Sequence, residues 1–388
     1  MTARSIHATS PEELLAKLNI EIVNGFTPTL AFVFISIKQD RKAVCEILSE
    51  KGIDIFGATS CGEFIDGHQS EGEMAVLLLD VPSEYYKINF EEIDNRNIEK
   101  VSKLLAEKAL QQYDHPSLII CSTGMTVDAE YFNGELMVKC IGKELGADKI
   151  FFGGMAGDDM RFTGTYVFTK EKETDKGLLA LVFDATKINL FGVATTGWKP
   201  MGIARRVTKS EGNKLYTIDD RPAVEMYLKY LGREEKKTDT TFNIFEELGY
   251  TYPLITEREA GGEMVLRSPL KIDHSDHALV MEVEMPTGTK FWFSTPPDFD
   301  IVDEILTEAA DIKNTKLPSA DALLIFSCAG RPPVLGPFVT AENNGLAEIW
   351  QTPMAGFFTY GEYGRTKKGK QEFHSGACCW VTITENKS

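Results

Sequence analysis

The residues best suited to chemistry in this sequence follow an apolar run near residue 326. The segment Phe326-Ser-Cys-Ala-Gly-Arg-Pro332 ends that run, so Cys328 and Arg331 are expected at the carboxyl end of a strand, where open α/β sheets bind ligands. An arginine offers a planar fork for a carboxylate, and a nearby glutamate can accept from an ammonium group. With Glu362 returning across the same sheet, these residues suit a zwitterion such as an amino acid. An internal ion pair of Arg331 with Glu342 or Glu362 is the alternative.

Three glycine-rich turns with an acid near the end repeat along the chain. They read Gly57-Ala-Thr-Ser-Cys-Gly-Glu63, Gly153-Gly-Met-Ala-Gly-Asp158 and Gly356-Phe-Phe-Thr-Tyr-Gly-Glu362. Each turn follows an apolar run and a helix-like segment, which predicts repeated strand-helix-strand units in one scaffold. In a structural interpretation the glycines permit close backbone approach and the acids cap amides. In a functional interpretation the exposed amides and carboxylates bind a small polar ligand.

The cysteines leave a catalytic alternative open. Cys328 and Cys61 are candidate nucleophiles, but a thiolate needs a base, usually histidine, and a group that orients it. His374 is the only histidine near Cys328 in the sequence. No catalytic residue is predicted, and a cysteine-dependent enzyme acting on an acyl or amide substrate is kept as the alternative. The seven cysteines include no Cys-x-x-Cys, which argues against a disulfide framework or a structural zinc site.

Histidines provide the remaining cofactor signals. The segment His274-Ser-Asp-His277 has metal-like spacing, but it lacks an evident third ligand and is interpreted as a solvated turn, so no metal site is predicted. Haem ligation by His68, His115 or His374 stays open, because a single axial histidine has no sequence signature. Otherwise no cofactor is predicted, since the phosphate-loop and dinucleotide fingerprints are missing from the sequence.

The composition restricts the class of partner. The 388 residues carry a formal charge of −17, which disfavours nucleic acid and anionic membranes because phosphate contacts need clustered lysine and arginine. The longest apolar runs are far shorter than the ~20 residues of a membrane-spanning helix, and the amino terminus has no signal-peptide pattern. A cytoplasmic location with no membrane insertion and no nucleic-acid partner is therefore expected.

The elements that position these residues alternate between helices and strands. Ser10-Pro-Glu-Glu13 is a helix-start signal, and Asp40 to Lys51 is predicted to form a second helix. Residues 176–184 and 188–195 are predicted to be paired strands, and residues 281–285 and 290–294 to form a hairpin. The pattern predicts an α/β fold with two domains, 1–215 and 216–388, and mixed β-sheets with flanking helices.

These motifs resemble the FIST family, named for F-box and intracellular signal transduction proteins. Gly57-Ala-Thr-Ser-Cys-Gly-Glu63 resembles its N-terminal domain, and Phe326-Ser-Cys-Ala-Gly-Arg331, Gly356-Phe-Phe-Thr-Tyr-Gly-Glu362 and Phe373-His374 resemble its C-terminal domain. The resemblance covers residues 28–215 and 216–380. It implies a cytosolic sensory module that binds a small ligand, amino acids among those proposed, and acts on a separate signalling partner such as a histidine kinase. One branch is described as haem-binding and nitric-oxide-sensing.

The family motifs also point to particular ligand-binding residues. Cys61 stands where the motif usually has a small residue, so a local redox or ligand difference is possible there. The positions that match the motifs are Ser60 and Glu63 with Gly57 and Gly62 in the N-terminal half, and Cys328, Arg331, Gly361, Glu362 and His374 with Gly356 in the C-terminal half.

Overall fold

The chain folds into two compact units. The computed structural model describes residues 1–93, 97–128, 130–146, 148–257, 264–298 and 300–386. The first unit comprises Met1–Thr195, Phe299–Ala329 and Pro337–Ser388, and the second comprises Thr196–Asp298 and Gly330–Gly336. In chain order, the second unit is therefore inserted into the first. The domain boundary that the sequence predicts, between residues 215 and 216, stays a prediction.

The first unit consists of three repeats, each running strand, helix, strand, helix and then four strands. Repeat one contains β1 (Thr2–Ala8), α1 (Pro11–Val23), β2 (Leu30–Ser36), α2 (Arg41–Glu50), β3 (Asp54–Ser60), β4 (Glu63–Ile65), β5 (His68–Ser70) and β6 (Met74–Asp80). Repeat two contains β7 (Tyr86–Glu92), α3 (Ile98–Gln112), β8 (Pro116–Ser122), α4 (Gly134–Leu145), β9 (Phe151–Met155), β10 (Val167–Phe168), β11 (Glu173–Thr174) and β12 (Gly177–Asp184).

The third repeat opens with β13 (Ile188–Thr195) and is interrupted by the second unit. That unit contains β14 (Lys199–Glu211), β15 (Lys214–Ile218), β16 (Arg221–Pro222), α5 (Ala223–Tyr230), β17 (Leu254–Glu257), β18 (Met264–Arg267), β19 (Pro269–Asp273), β20 (Ala278–Met281) and β21 (Lys290–Thr295). The rest of the chain contains α6 (Ile301–Thr315), β22 (Ala322–Cys328), α7 (Arg331–Leu335), α8 (Phe338–Trp350), β23 (Met354–Thr359), β24 (Glu362–Arg365), β25 (Gln371–His374) and β26 (Cys378–Glu385), of which α7 belongs to the second unit.

The three sheets of the first unit share one strand order. The orders are β1-β6-β2-β3-β10-β11, β7-β12-β8-β9-β24-β25 and β13-β26-β22-β23-β4-β5. At the centre of each sheet lies one parallel pair from a single repeat, namely β2/β3, β8/β9 or β22/β23. The last two strands of each sheet are a hairpin from another repeat, and the exchange is cyclic: β4-β5 joins the third sheet, β24-β25 the second and β10-β11 the first. The predicted repetition of strand-helix-strand units in an α/β fold with mixed sheets is confirmed.

The inner faces of the three sheets form one shared core. Phe34 of the first sheet stacks on Phe357 with ring centroids 4.4 Å apart and meets the edge of Phe326 at 6.0 Å. All three rings are fully buried, and each such side chain contributes about 1.5–3 kcal/mol to the free energy of unfolding. Helices cover the outer faces, as α1 and α2 do with Leu14 and Leu48 on the first sheet. This arrangement leaves the strand ends as the places where polar side chains of different sheets meet.

Local sequence signals explain where the first helices begin. The Ser10 hydroxyl accepts from the Glu13 amide at 3.3 Å, and the Asp40 carboxylate accepts from the Ala43 amide at 3.0 Å. The first is the capping contact that the sequence predicts, and the second begins the helix predicted from Asp40. Among the described residues, no helix is both long and apolar enough to cross a bilayer.

Two predicted strand pairings are wrong. The strands β12 and β13 do not pair with each other, because β12 lies between β7 and β8 while β13 pairs with β26. The predicted hairpin at 281–294 also fails: β20 pairs with β15 and β19, and β21 pairs with β14 and β17. Alternation of apolar and polar residues identifies a strand and its buried face, but it carries no information about which strand lies beside it.

The second unit is built on one eight-stranded antiparallel sheet. Its order is β18-β17-β21-β14-β15-β20-β19, with β16 paired to β15. Its core contains Tyr227 of α5 and Phe293 of β21, whose rings lie 6.2 Å apart. The Arg331 Nη1 donates to the Thr196 carbonyl at 2.9 Å, so α7 is tied to the first residue of this unit.

Candidate functional site

The three glycine-acid turns meet at one place in the first unit, which we call the three-turn junction. It comprises residues 59–63, 155–159 and 358–362. The junction follows from the cyclic hairpin exchange, because each turn carries the chain from its own sheet to another. Backbone hydrogen bonds join the turns pairwise: Gly157 N to Thr59 O (2.8 Å), Asp159 N to Ser60 O (2.9 Å), Cys61 N to Phe358 O (2.9 Å), Phe358 N to Gly62 O (2.9 Å) and Met155 N to Gly361 O (2.8 Å).

Glu63 and Glu362 are held by the same local arrangement in two different repeats. The Ser60 hydroxyl donates to Glu63 Oε1, and the Glu73 amide donates to Oε2 at 3.1 Å. In the last turn the Thr359 hydroxyl donates to Glu362 Oε1 at 2.6 Å, and the amide of Ala377 donates to Oε2 at 3.0 Å. Both carboxyl groups are fully buried. Each acid therefore binds the backbone at the end of the hairpin that follows its turn. This agrees with the structural interpretation, in which the acids of the turns cap amides.

Burial changes the protonation of Glu63. Removal from water raises the pKa of this carboxyl group to about 8, although hydrogen bonds from Ser60 and from the Glu73 amide lower it. The negative charges of Asp159 and Glu73 raise it further. At neutral pH the Glu63 side chain is thus mainly a neutral acid, which can donate a hydrogen bond as well as accept one.

The middle turn presents Asp158 to a tyrosine from the last turn. The amides of Thr163 and Gly164 donate to Asp158 Oδ2 at 2.5 and 3.1 Å. The Tyr360 hydroxyl donates to Asp158 Oδ1. Burial, with the adjacent Cys61 and Asp158, raises the pKa of Tyr360. This fully buried carboxylate therefore connects the middle and last turns through a side chain as well as the backbone.

Cys61 occupies the same place in its turn as Tyr360 does in the last turn. Burial raises the pKa of the Cys61 thiol to about 12, although amides of residues 160 and 158 and the Tyr360 hydroxyl oppose the shift. The thiol is therefore protonated at neutral pH, whereas a cysteine nucleophile reacts as the thiolate. This electrostatic environment disfavours Cys61 as a catalytic group.

The loop after Asp158 has an unusual backbone. Asp159, Met160 and Phe162 have φ values of 54°, 56° and 56°, in the left-handed region that non-glycine residues rarely adopt. Such conformations cost about 1–3 kcal/mol each and cluster at functional sites. The Phe162 ring lies parallel to that of Tyr360 at 5.5 Å, so this loop covers one face of the junction tyrosine.

Asp159 has one carboxylate oxygen held and one open. Its Oδ2 accepts from the Ser36 hydroxyl at 2.8 Å and pairs with Lys38 Nζ at 3.0 Å. Its Oδ1 is buried and has no hydrogen-bond partner among the residues that the structure describes. Only 9% of the side chain is exposed, and an unsatisfied buried acceptor costs about 1–3 kcal/mol. Asp159 is thus the residue of the junction most clearly prepared to accept from a bound molecule.

The other predicted residues of the first unit lie around the last turn. Cys328 is half-buried at the end of β22, and its amide donates to the Ala377 carbonyl at 2.9 Å. Because the Ala377 amide donates to Glu362, this single residue links the backbone of Cys328 to that carboxylate. His374 is 4% exposed and pairs with Glu362 in the β24/β25 register. At Gly361 a Cβ atom would lie 2.6 Å from the Phe373 ring, so glycine is needed there for close packing.

Arg331 and Glu342 are fully buried, each in its own unit. Within the second unit the arginine donates to the Thr196 carbonyl. Within the first, Glu342 lies on the buried face of α8 with Asn343 and Leu346. For Arg331, the ligand contact and the internal ion pair therefore both stay as predictions from the sequence.

Sequence reasoning missed several residues of the junction. It did not select Asp158, Asp159, Tyr360, Ser36 or Lys38 as site residues. The sequence offered a signal for two of them: Asp158 is the acid of the middle turn, and Ser36 directly follows the apolar run of β2. The contact between Tyr360 and Asp158 had none, because 202 residues separate them in the chain.

A surface groove lies elsewhere in the first unit. It has a volume of about 1080 Å³ and lies between α6, β13 and the β24-β25 hairpin. Its walls carry opposite charges that pair across it, as Lys367 Nζ and Glu308 Oε2 do at 3.2 Å. The groove contains none of the predicted site residues, so volume alone does not identify the site.

Comparison with known proteins gives two results. The family model described as FIST N domain matches residues 29–221, and the one described as FIST C domain matches residues 223–365. An uncharacterized protein of Methanocaldococcus jannaschii is 30% identical over 195 residues, which is 47% of this chain and 36% of that protein. The match therefore spans about a third of the relative's own length.

Proposed function

Because the chain belongs to the FIST family, whose domains are associated with sensing in signal transduction, we propose that it is a cytoplasmic sensor of a small polar metabolite. An amino acid or a similar molecule is the class of ligand that the polar residues suit best. When the ligand is bound, the chain acts on a separate signalling protein, such as a histidine kinase.

The observation that carries the proposal is the open Oδ1 atom of Asp159. It is a buried acceptor at the carboxyl end of the parallel pair β2/β3, where α/β sheets bind ligands. Neighbouring Glu63 is neutral at pH 7 and so does not repel a carboxylate from the ligand. An ammonium group donating to Asp159 would satisfy its oxygen with a charge-assisted bond worth about 1.5–3 kcal/mol.

In the second unit, Arg331 is proposed separately as a group that binds a carboxylate. The side chain is fully buried, and its planar fork suits bidentate binding of a carboxylate. In the first unit, Cys328, Gly361, Glu362 and His374 are proposed to complete the binding region as residues that shape and hold the last turn.

The strained loop at residues 159–162 supplies a route for the signal. Its backbone is held in a costly conformation by contacts at the junction, and a ligand on Asp159 acts on the first residue of that loop. A ligand that binds one arrangement of the loop better than another shifts the population between them.

The test is a thermal-shift screen of amino acids combined with native mass spectrometry of the purified chain. We expect Asp159→Asn in the first unit and, independently, Arg331→Lys in the second unit each to weaken binding at its own position by about 10–100-fold, the equivalent of one charge-assisted bond. Asp148→Asn is the matched control, because it also removes an acid paired with lysine, at 2.7 Å, but one that is 75% exposed. Circular dichroism checks that each variant is folded.

Analogues of the ligand found in the screen test its two charged groups. N-acetylation removes the ammonium group and should abolish stabilisation, and amidation of the carboxylate should do the same. Binding by Asp159→Asn as tight as that of the wild type would overturn the proposed site at Asp159, and unchanged binding by Arg331→Lys would overturn the proposed role of Arg331. A screen without any stabilising metabolite would overturn the proposed ligand class.

A further inference from the structure

Two histidines and one glutamate of the first repeat lie close together. His7 lies near the end of β1, His68 begins β5 and Glu73 directly precedes β6. One possible ligand atom from each lies within 4.8 Å of the others. The distance from His68 Nε2 to Glu73 Oε2 is 2.9 Å, and that from His7 Nε2 to the same oxygen is 4.0 Å.

These distances are close to those of a coordinated metal ion. Zinc binds histidine nitrogen and carboxylate oxygen at about 2.0–2.1 Å in a tetrahedron, which places the ligand atoms about 3.3 Å apart. The observed separations lie on both sides of that value, so small side-chain rotations bring the three atoms into position. The two imidazole rings are already in contact, with centroids 4.0 Å apart.

The backbone holds all three residues in place. His7 pairs with Ala75 in the β1/β6 register, so Glu73 projects on the same side of the first sheet two residues earlier. The Glu73 amide donates to Glu63 Oε2, and its carbonyl accepts from the Ser36 amide at 3.0 Å. Ligand positions fixed in this way reduce the cost of assembling a site.

We propose that His7, His68 and Glu73 form a binding site for a divalent transition metal ion, with Zn²⁺ as the best match. Imidazole nitrogen and carboxylate oxygen suit first-row divalent ions. The three side chains are 29%, 39% and 23% exposed, so a fourth coordination position faces solvent and can take water or a small anion.

The metal would join two sheets beside the three-turn junction. His7 lies in β1 and Glu73 directly precedes β6, both in the first sheet, while His68 is on the exchanged hairpin that pairs with β23 in the third sheet. Because the Glu73 amide bonds to the Glu63 carboxyl group, occupancy of the site tightens the hold on the first turn.

Lys17 is a basic group that lies against the site. Its Nζ lies 3.4 Å from His7 Nδ1, donates to the His7 carbonyl at 2.8 Å and pairs with Glu13 at 2.8 Å. When His7 ligates through Nε2, its Nδ1 carries the proton, and the lysine keeps its two oxygen partners. The positive charge of Lys17 weakens metal binding, and substitution of Lys17 measures by how much.

The experiment uses the full chain, stripped with a chelator and titrated with ZnCl₂ in an isothermal calorimeter. We expect one Zn²⁺ per chain and a loss of affinity of about 100-fold or more for His7→Gln/His68→Gln, since even partners outside the ligand shell cost ~10–100-fold. Glu73→Gln is the second variant, because it retains the backbone bond to Glu63. The matched control is His274→Gln/His277→Gln, which also removes two histidines with metal-like spacing.

Two further readouts separate this site from binding by cysteine or by surface groups. Co²⁺ in the wild type should give the visible bands of a nitrogen- and oxygen-ligated ion without a thiolate charge-transfer band. Lys17→Met should tighten Zn²⁺ binding by about tenfold, the Coulomb repulsion of the ion at ~7 Å in water. Absence of stoichiometric Zn²⁺ binding, or unchanged binding by both site variants when they are folded, would overturn the proposal.

Discussion

A pair of glycine-to-alanine substitutions tests whether the three-turn junction holds the first unit together. At Gly157 an added Cβ would lie 2.4 Å from Cys61 Sγ and 2.9 Å from two backbone atoms, Cys61 N and Ser60 C. The matched change is Gly142→Ala in α4, where an added Cβ meets nothing within 4 Å. Both substitutions add one methyl group to glycine, so the difference between them isolates the close approach of the turns.

The two substitutions are expected to change the free energy of unfolding in opposite directions. Gly142→Ala should stabilise the protein by about 1 kcal/mol, because alanine restricts the unfolded chain and favours the helix. Gly157→Ala should destabilise it by about 3 kcal/mol. Overpacking costs ~1–3 kcal/mol, and moving the turns apart weakens the bonds of the Gly157 amide to Thr59 and of the Asp159 amide to Ser60, each worth ~1 kcal/mol.

Cys61→Ala provides an internal check on the cause. In the double variant Gly157→Ala/Cys61→Ala the contact with Sγ disappears while the two backbone contacts remain. The double variant should therefore recover only part of the lost stability, and the interaction between the two substitutions should be favourable.

The assay is denaturant unfolding followed by tryptophan fluorescence, together with hydrogen exchange of individual amides. Trp350 and Trp380 are buried in the first unit, and the amides of Cys61 and Asp159 report opening of the junction. Gly157→Ala should speed exchange at these amides relative to Gly142→Ala. Equal stability of the two variants, with unchanged exchange at both amides, would refute the argument that the turns are held by close backbone approach.

Three further predictions concern the polar groups of the junction. Tyr360→Phe should lower the free energy of unfolding by about 2 kcal/mol, because it leaves Asp158 Oδ1 buried without its donor, and a chemical denaturation series measures this; an unchanged midpoint would contradict it. Cys61 should resist iodoacetamide at pH 7.5 until the chain is denatured, since burial raises its pKa to about 12, and rapid labelling of the native protein in a peptide map would show otherwise. Thr359→Val should cost about 2 kcal/mol by removing the hydroxyl that donates to Glu362, while Thr359→Ser should retain most of the stability; equal losses in the two variants would exclude the hydrogen bond as the cause.

Hydrogen bonds within a turn were accessible from the sequence because they are local. The Ser60 and Thr359 hydroxyl groups lie three residues before the glutamates that accept from them, and both pairs stand in the repeated motif. The same holds for the helix caps at Ser10 and Asp40, whose partners are also three residues away. At this range the spacing of the residues and the allowed backbone angles determine which groups can touch.

Contacts between repeats were not accessible in this way. The hairpin β4-β5 looks in sequence like part of the first sheet, but its partner β23 lies about 290 residues later in the chain. The incorrect pairing of β12 with β13 has the same origin, since both strands have suitable patterns and a short connection. A pattern of period two is satisfied equally by any partner that buries the same face.

The sequence by itself determined the three repeated units, the acids of their turns, the principal helix starts and the family of the chain, because each is recorded in residues close together. Only the tertiary structure decided that the hairpins are exchanged cyclically and that the three turns meet. It also decided that Asp159 has an open buried oxygen and that His7, His68 and Glu73 are neighbours. These features depend on which surfaces bury the most apolar area when the three sheets close on one core, and that choice is made by the whole chain at once.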